Sequence, residues 1–271
     1  ALLVITFSEP MDREATESAY LSEDLPSGDV TFTWNEDSTV LTITPELPLL
    51  LAAGGDPAAV TALDYTFVVS DLARDAQGDV LLARAFSFST ARQITQAYAA
   101  IQDRDLTGNF RGNGNYGNGD CARNETTVCI GDSANPADFQ FRGFLSFDLR
   151  ELPSNIKRLE MAELSFEVED TNGNAFNSLG DLLAEHVDFE LIDAAAFDVE
   201  PLDELGVVAS AASQGSLIEI DVSDAVLADV AAQRLTQLRL RFQQDTDDDG
   251  NADMIISDWS TQQIRVVFLM E

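Results

Sequence analysis

Lysine is nearly missing from this chain: Lys157 is the one lysine among 15 basic residues, the others being arginine, against 48 acids. The resulting net charge of −33 excludes nucleic acid as a natural partner, because DNA and RNA are held through neutralised phosphates, and anionic lipid would be repelled in the same way. Histidine occurs once, at His186, and cysteine twice, which is too few ligands for a zinc site. No uninterrupted run of 18 apolar residues exists, so no membrane-spanning helix is expected. No Gly-x-Ser-x-Gly elbow is present, and His186 beside a strand reads as a hydrogen-bonded structural residue. With acids everywhere, no chosen carboxylate pair stands out as catalytic, and no enzyme is expected.

What the chain does have is material for a core. Hydrophobic residues make up 45% and the mean hydropathy is −0.04, well above what a disordered chain carries. A length of 271 residues suggests two domains. Acid excess with little lysine fits adaptation to salty water, where salt screens the mutual repulsion, and equally fits a generic low-pI exported protein. The opening Ala1-Leu-Leu-Val-Ile-Thr-Phe lacks a basic segment and reads as a strand; in an exported protein the signal would already be removed.

Residues 1–92 alternate in short apolar runs: Leu3, Ile5 and Phe7; Phe32 and Trp34; Val40 to Ile43; Tyr65 to Val69; Phe86 and Phe88. Turn formers such as Pro26-Ser-Gly28 and Gly54-Gly-Asp-Pro57 separate them, which predicts an all-β sandwich. Ile5-Thr-Phe-Ser-Glu-Pro-Met-Asp12, Trp34 to Pro45, Tyr65 to Ser70, Asp75 to Asp79 and Phe86 to Thr90 resemble, in order, the bacterial Ig-like module of surface-layer proteins. That resemblance implies a spacer or stalk of secreted and cell-surface proteins with no catalytic residues. In the family another extended segment precedes the Thr6-Phe-Ser-Glu-Pro-Met-Asp12 strand. Either this chain is trimmed or its sandwich exposes an edge near Leu2–Phe7, open to strand addition by a second copy or another surface protein.

Ala91 to Ile94 is a short joint without a Gly/Ser/Pro linker, so residues 93–271 are read as a second domain lying close to the first, with limited hinge motion. Strands are predicted at Gln96 to Ile101, Phe139 to Asp148, Leu159 to Val168, Leu217 to Val222, Leu238 to Phe242 and Ile264 to Leu269. Ser223 to Leu235 reads as a helix capped by Ser223, with Val226, Leu227 and Val230 on one face. Arg142 to Pro153, Ile156, Ala162 to Phe166 and the later Ile220 to Val230 are similar to the jelly-roll modules called DNRLRE domains, relatives of certain carbohydrate-binding modules; residues 170 to 210 match poorly. The resemblance implies two antiparallel sheets packed face to face, Ig-like then jelly roll over the whole chain, in exported proteins sometimes found beside polysaccharide-degrading enzymes.

Three features carry candidate chemistry. Asp245, Asp247, Asp249 and Asp253 occupy positions 1, 3, 5 and 9 of an EF-hand-type loop, with Gly250 at 6 for the tight turn and Asn251 at 7 offering its carbonyl. Position 12 is Ile256, so a bidentate ligand would have to come from elsewhere, Asp258 being one source, or be replaced by water. The alternative is a solvated acidic hairpin turn, but the glycine and the odd-numbered spacing favour structural Ca2+ pinning the strands on either side. Cys121 and Cys129 bracket seven residues and suit a disulfide closing a polar loop in an oxidising compartment. The Gly/Asn-rich stretch from Gly108 to Asp120 holds Phe110, Arg111, Asn113, Asn115 and Tyr116, which would make either a polysaccharide-binding surface or a plain loop tolerant of left-handed backbone; a cation site using Asp103, Asp105 or Asp120 is a third reading. Asn124-Glu-Thr126 fits a glycosylation sequon that also arises by chance. The whole reads as an extracellular, non-catalytic surface or adhesive protein, with calcium-dependent carbohydrate binding as the alternative.

Overall fold

The structure is a computed structural model and describes residues 2–111, 126–134, 139–212 and 217–271, with 115–116 as backbone. It is 46% strand and 12% helix in antiparallel sheets that form no barrel, which makes the protein all-β. The chain separates into two compact units, Ala1–Ile94 with Leu269–Glu271, and Thr95–Phe268.

The first unit contains β1 (Leu3–Thr6), α1 (Arg13–Ser18), β2 (Tyr20–Leu21), β3 (Val30–Trp34), β4 (Val40–Pro45), β5 (Ala52–Gly54), β6 (Asp64–Val69) and β7 (Arg84–Ser89). Two three-stranded sheets form, ordered β1-β4-β3 and β2-β6-β7. Alternation sets which side chains meet: Ile5, Val30, Leu41 and Ile43 of one sheet join Tyr20, Tyr65, Phe67 and Val69 of the other in one apolar cluster. Stacked Phe67 and Phe86, with ring centroids 4.9 Å apart, and Tyr65 with Phe88 at 5.4 Å, line the second sheet. The turn after Pro10 becomes α1 because Asp12 caps it, accepting from the Ala15 amide at 3.0 Å. The segment before β6 is anchored by Arg92, whose guanidinium donates to the carbonyls of Pro57 (2.8 Å) and Val60 (3.2 Å).

The second unit continues with β8 (Arg92–Ala99), β9 (Gly108–Arg111), β10 (Asn115–Tyr116), β11 (Thr127–Asp132), β12 (Gln140–Phe147), β13 (Ile156–Glu167), β14 (Asp170–Asn172), α2 (Ala175–Ser178), β15 (Leu182–Val187), α3 (Ala194–Phe197), β16 (Asp203–Ala209), β17 (Leu217–Asp221), α4 (Ser223–Ala232), β18 (Thr236–Phe242), β19 (Met254–Asp258) and β20 (Gln263–Met270). The larger sheet runs β14-β19-β11-β12-β18-β15-β16, with β9 on β12 and β10 on β9; the smaller runs β17-β13-β20-β8. Each buries a face, through Leu145, Phe147, Leu238 and Leu240 in the first and Ala162, Leu164, Phe166, Ile264, Val266 and Phe268 in the second.

The helix expected from Ser223 forms over ten residues, but Ser223 is its first residue and not its cap. Its hydroxyl turns to β13 and accepts the Ala162 amide at 2.8 Å, while Asp221 takes the Ser223 amide at 2.9 Å. Gln233, in the left-handed conformation (φ 57°), ends the helix.

Candidate functional site

The loop from Gln243 to Asp253 joins β18 to β19, which the sequence pattern treats as neighbours in a hairpin. They are not neighbours: β12 and β11 lie between them in the sheet. The loop therefore crosses the end of two strands, and its aspartates find partners there in turn. Asp245 meets Arg142 of β12 at 3.2 Å, and the side-chain amide of Gln140, oriented to satisfy both its ends, donates to the same carboxylate. Further on, the buried Asp132 at the end of β11 accepts the amides of Asp247 (3.4 Å) and Asp253 (2.9 Å). Asp253, 4% exposed, accepts in addition from the Asn174 amide between β14 and α2. Gly173 makes that close approach feasible: its φ is +70°, and a Cβ there would lie 2.0 Å from the Ala252 carbonyl oxygen.

Asp247, Asp249 and Asp253 each place an oxygen within 4.8 Å of the other two. Two oxygens bound to one calcium ion lie at most about 5 Å apart, from bond lengths of roughly 2.3 to 2.6 Å, so the spacing suits that ion without rearrangement. The donors are oxygen throughout, the chemistry of a hard cation. Asn251 closes the turn, donating from its side chain to Asp249 at 2.8 Å and from its backbone at 2.7 Å, and these bonds, the side-chain one foremost, hold the Asp249 carboxyl below its ordinary pKa. Burial acts the other way on Asp132 and outweighs its hydrogen bonds, raising its pKa.

Of the five residues expected to hold metal, three converge. Asp245 is diverted to Arg142 because that guanidinium, 13% exposed at its side chain, lies over the Phe197 ring at 4.0 Å and directs a nitrogen toward the loop. Asn251 bonds its neighbour, and Asp258 caps the turn after β19, accepting the Ser260 amide at 2.8 Å; Ile256 is core. Asp132 went unnoticed in the sequence, since Ile130-Gly-Asp132 carries no motif and its role depends on a contact 121 residues away in the chain.

The expected ligand loop divides. Phe110 cannot stack on a sugar: it is 3% exposed and belongs to a cluster with Phe144, Ile192, Ala196 and Phe197, because Gly108 to Arg111 form a strand against β12 and not a loop. Arg111 lies over Phe139, 4.0 Å from its centroid. Asn115 and Tyr116 pair with Arg111 and Phe110 as β10, and Asn113 lies outside the described residues. Asp103 accepts the Asp105 amide at 3.0 Å in a turn, whereas Asp120 lies outside the described residues. Cys129 is fully buried on β11 and is not a free thiol; Cys121 and Asn124 lie outside the described residues. His186 and Asp229, both buried, meet at 2.8 Å, tying β15 to α4, and Asp229 also accepts from Arg234 at 2.5 Å.

The face of the larger sheet beneath α3 holds a network the sequence did not reveal. Glu185 of β15 accepts from Arg239 at 2.6 Å and Arg241 at 2.9 Å, both on β18, and Arg239 donates onward to the carbonyls of Phe197 (2.9 Å) and Val199 (2.8 Å). Burial pushes the Glu185 pKa up, but the two guanidiniums outweigh it and the net shift is downward.

No family model matches the chain, and no curated protein matches it. Among solved structures, the chain is 12% identical to a crystal structure of domains CD of a protein, over all of this chain and 92% of that one, with a TM-score of 0.25. A crystal structure with xylogluco-oligosaccharide is also 12% identical, covering all of this chain and 53% of that one, with a TM-score of 0.21. A structure of manganese lipoxygenase of Gaeumannomyces graminis is 10% identical at a TM-score of 0.18, over all of this chain and 71% of that one. Scores this low carry neither fold nor function across. No helix among the described residues is long and apolar enough to cross a membrane.

Proposed function

We propose that this is a non-catalytic, exported β-sandwich protein of the cell surface, stiffened by calcium and assembled through an open sheet edge. The observation that carries the reading is the convergence of Asp247, Asp249 and Asp253 on a loop that crosses two strands and is tied to a third carboxylate-bearing strand end by Asp132. An ion there would hold the ends of β11, β12, β18 and β19 as one unit, a mechanical role. Its position beside β1 is not needed for this: β1 pairs with β4 alone among the described residues, which supports strand addition as the mode of assembly.

The second reading, calcium-dependent binding of a polysaccharide, rests on the same oxygen cluster, since a bound cation bridges an acidic glycan to an acidic protein. A pull-down on a panel of insoluble and acidic polysaccharides separates the two. The structural reading expects no retention with or without calcium; retention of one polymer that chelation releases would replace it. We extend the proposal to a Cys121–Cys129 disulfide anchoring the segment before β11. Neither cysteine is then expected to alkylate in denaturant without reductant, and modification of both would remove the bond.

A further inference from the structure

Edge strands are ordinarily guarded by charge, proline or a bulge, and β1 has none of these. Its register against β4 is continuous, from Leu3 opposite Ile43 to Thr6 opposite Val40. In a chain where 23% of residues are charged, the strands Leu-Val-Ile-Thr, Val-Thr-Phe-Thr-Trp and Val-Leu-Thr-Ile-Thr-Pro of the β1-β4-β3 sheet contain no charged residue at all. Leu2 and Val4, 67% and 59% exposed, face outward with the threonines of β4 and β3. The opposite edge, β3, is protected: Asp29 precedes it, Glu36 and Asp37 follow, and Arg13 covers its end by donating to the Asn35 and Glu36 carbonyls.

The backbone fixes which groups β1 offers. The Phe7 amide donates to the Thr39 carbonyl at 2.8 Å, so in the antiparallel ladder Phe7, Ile5 and Leu3 turn their polar groups to β4. Leu2, Val4 and Thr6 therefore direct theirs away from it. Beside this edge runs a groove of about 440 Å³ lined by Val4, Phe7, Val69, Leu81 and Phe86.

We infer that the occupant of this edge is β1 of a second copy, antiparallel about a two-fold axis at Val4. Val4 faces its counterpart and Leu2 faces Thr6 in each direction, so all three outward residues of both strands are paired and a six-stranded sheet results. Charge selects this partner. Two chains of −33 repel almost everywhere, and the uncharged sheet is where they approach at least cost. The inference rests on the reading of assembly by strand addition and names its partner and register. A strand of four residues buries far less than the roughly 1,200 Å² of a standard stable interface, so association is weak and favoured by concentration and salt.

The test is the mass of the 271-residue chain in solution at about 100 μM and about 1 M salt, where the screening length falls to roughly 3 Å. The expected mass is twice 29.4 kDa. Val4→Pro removes an outward amide and leaves the β4 ladder intact, and Val4→Lys opposes two ammonium groups across the axis; both are expected to give the single-chain mass with unchanged melting. Should Val4→Pro melt early, Val4→Lys decides. Val4→Cys is expected to give a cross-linked dimer under oxidation, because hydrogen-bonded pairs place their Cα atoms about 5.5 Å apart. A wild-type chain that stays at 29.4 kDa overturns both this pairing and the assembly reading. A dimer that survives both Val4→Pro and Val4→Lys, or a Val4→Cys dimer that does not cross-link, overturns the pairing alone.

Discussion

Glu185→Leu is expected to lower the unfolding free energy of the second unit by about 3 to 5 kcal/mol, the cost of leaving a buried charge without its partner. The stranded group is Arg239, whose side chain is 5% exposed and whose other donors are committed to the carbonyls that end α3. At roughly 2 to 4 °C per kcal/mol for a unit of this size, the melting transition falls by on the order of 10 °C. Adding Arg239→Met restores part of the loss and not all of it, because the Phe197 and Val199 carbonyls then lack a donor. The same pair sets a pH dependence. Glu185 titrates below its ordinary 4.5 in the folded state, so the unfolded chain binds its proton first as the solution is acidified. Its contribution is complete above that pH and disappears as pH falls through the folded value. Urea midpoints of wild type and Glu185→Leu across pH 3 to 7 check this; the gap between them is expected to narrow at the acid end.

Chelation produces the second large effect. A ligand held only by the folded state at a hundred times its dissociation constant adds about 2.7 kcal/mol, so removing calcium lowers the same transition by roughly 5 to 10 °C. The three aspartates explain why the loss is steep: without the ion, carboxylates within 4.8 Å repel one another at the end of the sheet. The first unit holds no such group among its described residues, and its transition is expected to stay in place. Calorimetry with and without chelator at fixed ionic strength reads both. An unchanged second transition after thorough chelation would remove the ion from the account.

Most strands are legible in the sequence because their burial alternates. Leu217 to Asp221 and Gln263 to Met270 read as strands for this reason, as do the paired runs around Phe32 and Ile43. β11 is hidden because Thr-Val-Cys-Ile-Gly-Asp is buried at every position, so no period marks it. β15 is hidden by Glu185 and His186, polar residues inside a sheet whose partners, Arg239 and Asp229, are more than 40 positions away. The same distance effect governs the site. Local spacing picked out Asp247, Asp249 and Asp253, but no local signal says that Arg142 withdraws Asp245 or that Asp132 anchors the loop. Phe110 shows the converse error, since a glycine-rich neighbourhood reads as loop while strand pairing with β12 places the ring in the core.

The central claim is that three aspartates of one loop hold a calcium ion across the end of the larger sheet. Isothermal titration of calcium into chelator-treated protein addresses it directly, using wild type, Asp249→Ala and Asp245→Ala. The account expects one site in wild type, retained in Asp245→Ala, whose parent side chain is engaged with Arg142, and lost in Asp249→Ala. Absence of a site in wild type at millimolar calcium, or loss in Asp245→Ala with retention in Asp249→Ala, would contradict it.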